Sequence, residues 1–101
     1  MIKALFDIRE DRAAFTIEGH SGFAAEGSDI VCAAVSSAAY MAANTITEIL
    51  RLQDTSVQRD GYLTFSASGS KAAADIIRGL QLHISELALL YPDYIKIQTE
   101  V

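Results

Sequence analysis

The sequence predicts an α+β fold. Two helices lie on one face of a mainly antiparallel sheet, giving a two-layer sandwich with the order ββαββαβ. Three observations carry this. Short runs of alternating apolar and polar residues open the chain, recur in its middle and close it, and that is the period of a half-buried strand. Two long stretches between them lose the alternation and read as helices. The breaks fall where turn formers gather, at Glu10-Asp11, Asp60-Gly61 and Ser68-Gly69-Ser70.

Each element has its own warrant. Ile2, Ala4, Phe6 and Ile8 alternate with Lys3, Leu5, Asp7 and Arg9. From Ala13 to Glu18, Phe15 and Ile17 share one face and Thr16 and Glu18 the other, so the two runs read as a hairpin across Glu10-Asp11. His20 has the parity of Thr16 and Glu18 and falls just past the strand, off the core face. A loop from Gly19 to Ser28 holds three of the six glycines and is longer than most connections. A helix is expected from Ser28 or Asp29 to about Leu52, with Asp29 as N-cap accepting the N–H of Cys32. It is apolar nearly all round through Met41, so cover on two sides is expected, a sheet on one and a second subunit on the other.

Gln53 to Ser56 read as a loop and Val57-Gln58 as a short strand, followed by the tight turn at Asp60-Gly61. Leu63, Phe65 and Ala67 alternate as another strand. A second helix is expected from Lys71 to Leu90, with Ile76, Leu80, Ile84 and Leu87 as its buried stripe. Pro92 stops it, and Ile95, Ile97, Thr99 and Val101 form the last strand.

At 101 residues the chain is expected to be one domain, residues 1–101, and half of its residues are hydrophobic. One cysteine allows no internal disulfide, which suits a reducing cytoplasm. A net charge of −5 argues against direct nucleic-acid binding and favours a basic partner. The uncharged stretch from Ile30 to Thr47 has the length of a membrane span, but its alanines, Ser36, Ser37, Asn44 and Thr45 make transfer to lipid weakly favourable at best. No membrane association and no signal peptide are expected. Two histidines, one cysteine and scattered acids have no metal-ligand spacing, and the glycine loop lacks a phosphate-binding pattern, so neither metal nor cofactor is expected.

The candidate chemistry gathers at Cys32. A thiol at a helix start feels the positive end of the helix dipole, and His20, twelve residues upstream, can fold back on it as a base. The backbone N–H groups of that helix start are candidates for an oxyanion hole. Asp29 opposes a thiolate unless the helix amides engage it. By spacing alone, Cys32 reads first as a small packed residue in an alanine-rich helix, with His20 exposed. His83 reads as a solvated histidine within the second helix.

The run Gly19-His20, then Gly27-x-Asp29-Ile30-Val31-Cys32-Ala33-Ala34-Val35-Ser36, closely resembles the signature of the Prp, or YsxB-like, family of ribosomal-processing cysteine proteases. The resemblance extends over the whole chain in length and element order. It implies a small homodimer in which Cys32 is the nucleophile and His20 the base. Asp29 would act as helix cap and candidate orienter. A loop containing Gly22, Phe23, Gly27 and Ser28 would move as substrate enters, with Phe23 either lining the substrate channel or plugging it. The implied substrate is the twenty-seventh large-subunit ribosomal protein carrying an N-terminal extension, cut after an aromatic residue. An alternative from another class is a non-catalytic assembly or binding factor that holds a basic protein tail. A redox-sensing thiol is a third reading, with no second cysteine to resolve it.

Overall fold

A computed structural model describes residues 1–25 and 27–99, and its elements follow the expected order. The opening alternation becomes β1 (Ile2–Ile8) and β2 (Arg12–Glu18), paired antiparallel with Phe6 opposite Phe15. β3 (Thr55–Arg59) and β4 (Tyr62–Ser68) form a second hairpin, and β4 pairs with β2, placing Phe65 opposite Phe15. β5 (Ile95–Thr99) joins the far edge parallel to β1. The sheet order is β3-β4-β2-β1-β5, mixed and mostly antiparallel. Val101, the last residue of the expected strand, lies outside the described residues.

Strand pairing aligns three phenylalanines across the sheet. Phe6, Phe15 and Phe65 are at most 1% exposed, with ring centroids 6.2 Å and 5.6 Å apart along the row. Cross-strand aromatic pairs of this kind fix register as well as burying area, since a one-residue slip of any of these strands would turn its phenylalanine to the other face. The two helices close the layer. α1 (Ile30–Asn44) buries Val31, Val35, Ala39 and Ala42, and α2 (Lys71–Leu90) buries Ala73, Ala74, Ile77, Leu80 and Ile84. The small residues let the backbone of α2 come close to the sheet and the two helices come close to each other.

The structure corrects three expectations. The first helix stops short of Leu52: α1 passes into a π-helical turn, Thr45–Ile49, closed by the Leu50 N–H donating to the Thr45 carbonyl at 2.9 Å. Arg51 then takes a positive φ of 56°, and the Leu52 N–H reaches back to the Ile46 carbonyl at 3.1 Å. No glycine or proline marks this ending; a left-handed arginine makes it. Second, the buried stripe of α2 is centred on Ile77, while Ile76 and Leu87 are half-buried at its margins. Within this chain α1 is covered on one side, and Ile30, Tyr40, Met41 and, in the π-helical turn, Ile49 are exposed. Third, β3 begins at Thr55 and every one of its residues is exposed. An edge strand of this kind is held by its ladder to β4, which leaves no apolar alternation to read.

Candidate active site

Asp29 organises the site from the residue upward. It sits in extended geometry immediately before α1, and its Oδ1 accepts the N–H of Val31 at 3.0 Å and of Cys32 at 2.9 Å. Its Oδ2 accepts the hydroxyl of Ser21 from across the loop. The Ser21 hydroxyl and then the Cys32 amide hold the carboxyl at about 2, well below its ordinary value, so it is a carboxylate with its charge directed at these donors. The expected N-cap is present, and it also ties down the loop. The helix start is correspondingly full: Val31 and Cys32 donate to the carboxylate and Ala33 donates to the Asp29 carbonyl at 3.1 Å. The expected oxyanion donors of that turn are therefore occupied.

Cys32 is half-buried in the first turn of α1. Its Sγ accepts the backbone N–H of Ser21 at 3.3 Å. Ser21 is 4% exposed, the only buried polar residue among those described, and its Oγ also accepts the Phe23 N–H at 3.1 Å. The expectations from sequence left Ser21 out of the site. Its pairing with Asp29 spans eight residues of irregular loop, where no periodicity operates.

His20 follows β2 and is held against the β3–β4 turn. The Gly19 N–H donates to the Gly61 carbonyl at 2.8 Å, closing β2 onto that turn. The His20 Nε2 lies 3.8 Å from Asp60 Oδ2, with both side chains largely exposed. The imidazole rests directly over Gly61, where a Cβ would come within 2.8 Å of Nε2. Gly61 thus meets two demands at once, a positive φ of 66° and room for the ring. Asp60-Gly61 reads in the sequence only as a turn; folding turns it into the seat of the histidine.

His20 and Cys32 line one cleft of about 580 Å³. Ile17 and Leu63 form part of its sheet side, and Val35, Ala39 and Tyr40 line it from α1. The Gln58 amide donates to the Tyr40 hydroxyl, joining the edge strand to the helix. Arg59 lies 4.3 Å over the Tyr62 ring on the hairpin. Of the expected gating residues, Gly22 and Gly27 line the cleft, whereas Phe23 and Ser28 do not. Phe23 instead packs edge-on against Tyr91 and Tyr94, with centroids 5.8 Å and 5.3 Å away. In this conformation it clasps the loop to the end of α2 and does not plug the cleft. His83 is exposed on α2 and does not line the cleft. Among the described residues no group of three or more His, Cys, Asp or Glu could hold a metal ion.

The model of a protein family described as cysteine protease Prp matches residues 1–96. This chain belongs to that family. Prp membership makes it a cysteine protease. Its fold is similar to that of an essential ribosomal processing protease Prp from S. aureus in complex with a covalently linked product peptide. The TM-score there is 0.90 at 18% identity, covering 99% of this chain and 100% of the other. The same S. aureus protease with a substrate peptide matches with a TM-score of 0.85, again at 18% identity and with 99% and 100% coverage. SMU.848 from Streptococcus mutans matches with a TM-score of 0.72 at 25% identity, covering 99% of this chain and 96% of that one. No curated protein sequence matches the chain significantly.

Proposed function

We propose that this Prp-family protease trims the N-terminal extension of the twenty-seventh large-subunit ribosomal protein, cutting after an aromatic residue, with Cys32 as nucleophile and His20 as base. One observation carries the assignment of the nucleophile: the chain is a cysteine protease and holds a single cysteine, which lines a cleft together with His20. The S. aureus protease seen with substrate and product peptides is described as ribosomal processing, which supports a ribosomal substrate for this chain. A net charge of −5 suits a basic ribosomal protein, and the apolar surface of Ile17, Leu63, Val35 and Ala39 suits a large apolar side chain beside the scissile bond.

The chemistry runs as follows. His20 takes the thiol proton and the Cys32 Sγ lone pair forms a bond to the scissile carbonyl carbon, sending the carbonyl π electrons onto oxygen. Collapse of this intermediate re-forms C=O and breaks C–N, and the amine leaves with the proton from His20. Water, deprotonated by the same imidazole, then hydrolyses the thioester and restores the thiol. Asp60, with Oδ2 3.8 Å from Nε2, is placed to attract the imidazolium that forms when the ring takes the thiol proton.

The reading extends to a soluble homodimer in the cytoplasm, without direct nucleic-acid contact. The stretch Ile30–Ile49 is long and apolar enough to cross a membrane, but Val31, Val35, Ala39, Ala42 and Ile46 pack into the core of the protein, which supports a core helix. The test is to incubate the protein with the extended ribosomal protein and measure intact masses. Loss of a single N-terminal peptide ending in an aromatic residue is expected, and Cys32→Ala is expected to lower the rate by at least about 1000-fold. Cleavage by Cys32→Ala would remove the assignment, and tight binding without any product would favour the holding factor.

A further inference from the structure

The helix start that should serve the oxyanion is already occupied. Val31 and Cys32 give their N–H groups to the Asp29 carboxylate, and Ala33 gives its own to the Asp29 carbonyl. An amide fixed on a carboxylate is a poor donor to a second anion, because it would have to leave a charge-assisted bond to reach it. Among the described residues, one backbone donor is aimed at the reacting atom: the Ser21 N–H, 3.3 Å from Cys32 Sγ.

We infer that the backbone N–H of Ser21 is the oxyanion donor of this protease, with Asp29 as the positioning residue that holds it there. The inference rests on Cys32 being the nucleophile. When Sγ bonds to the scissile carbon, negative charge moves from sulfur to an oxygen two bonds away. A donor poised on Sγ before attack lies within reach of that oxygen afterwards, with only a small shift. Its position is built in. Ser21 is buried, its Oγ donates to Asp29 Oδ2 and accepts the Phe23 N–H at 3.1 Å, and the other oxygen of the same carboxylate holds the Cys32 amide at 2.9 Å. A single carboxylate thereby sets the spacing between nucleophile and donor. Such preorganisation favours the transition state because nothing has to reorient as charge develops.

The experiment replaces the His20–Ser21 amide by an ester through chemical synthesis of the chain. This exchanges one N–H for an oxygen and leaves every side chain in place. Turnover of a peptide with an aromatic residue before the scissile bond is expected to fall by about 100-fold or more in kcat, with KM little changed. Affinity for the corresponding peptide aldehyde, whose adduct with Sγ carries the same oxygen, is expected to fall in step, while affinity for the product peptide holds. Ser21→Ala keeps the N–H but frees it, and an intermediate loss of about tenfold in kcat is expected, with recovery in Ser21→Thr. A folded ester variant with kcat and aldehyde affinity within threefold of the parent overturns the inference. Should the ester variant fail to fold, a Ser21→Ala protein with unchanged kcat and aldehyde affinity does the same. Cys32→Ala and His20→Ala separate the two levels: if either keeps activity, the underlying reading fails, and if both are inactive while the ester variant is active, only the inference fails.

Discussion

Asp29 shows how much one side chain can determine. Folding places three donors on its carboxylate, and the same bonds that lower its pKa to about 2 hold the loop and the helix together. The pH consequence has a definite sign. In the unfolded chain this carboxyl takes up a proton near its ordinary value, whereas in the folded protein it resists to about 2. Between those values the unfolded state binds more protons, so this contribution to stability is present at neutral pH and disappears as the pH falls. The melting temperatures of the parent and Asp29→Asn are expected to differ most above about pH 5 and to converge toward pH 2. A gap that persists unchanged to pH 2 would contradict this. Gly61 is the second residue on which the site turns. Gly61→Ala places a methyl 2.8 Å from the His20 Nε2 and puts alanine at a φ of 66°. A loss of about 1–2 kcal/mol in urea unfolding is expected from the backbone alone. A fall in kcat of at least about tenfold is expected from displacement of the ring, and unchanged kinetics would show that the ring does not need this seat.

Elements position these residues in ways that local pattern does not announce. The strand β2, the glycine loop, the start of α1 and the turn between β3 and β4 each contribute to the cleft; the first three follow one another in sequence, and only the turn comes from far along the chain. The alternation of Phe15 and Ile17 and the capping sequence at Asp29 were legible because both are local effects, of pleat and of helix termination. The close of the first helix was not, since Arg51 accepts a left-handed conformation that its side chain does not advertise. The loop lies between these cases. Its glycines marked it, but the side on which Phe23 would pack depended on Tyr91 and Tyr94, far along the chain. Edge-on aromatic contacts of this kind contribute about 0.5–1.5 kcal/mol each. Phe23→Ala is therefore expected to speed amide exchange in residues 22–25 while leaving the overall melting transition in place, as read by hydrogen exchange with mass spectrometry. Unaltered exchange in that segment would show that the clasp does not hold the loop.

The whole molecule leaves large apolar side chains exposed. Met41 and Ile49 are 70% and 75% exposed, on the side of the first helix away from the sheet, and Leu82, Leu89 and Leu90 are also exposed on α2. Apolar exposure on this scale is unusual for an isolated chain and fits the proposed homodimer. Light scattering is expected to give twice the chain mass at micromolar concentration, and Met41→Glu is expected to shift the equilibrium toward the monomer by at least about tenfold. A mass of one chain at all concentrations would refute the dimer.

What the sequence determined by itself was the set of elements, their order and the two residues at either end of the glycine loop, because period, capping and turn chemistry are written in neighbouring positions. Its motif also pointed to the family that the match over residues 1–96 establishes. Only the tertiary structure decided what surrounds the cysteine. Asp29 had to meet Ser21 across the loop, and His20 had to meet Asp60 and Gly61 at the end of the β2–β4 pair, and such pairings arise from strand register and chain reversal rather than from spacing along the chain.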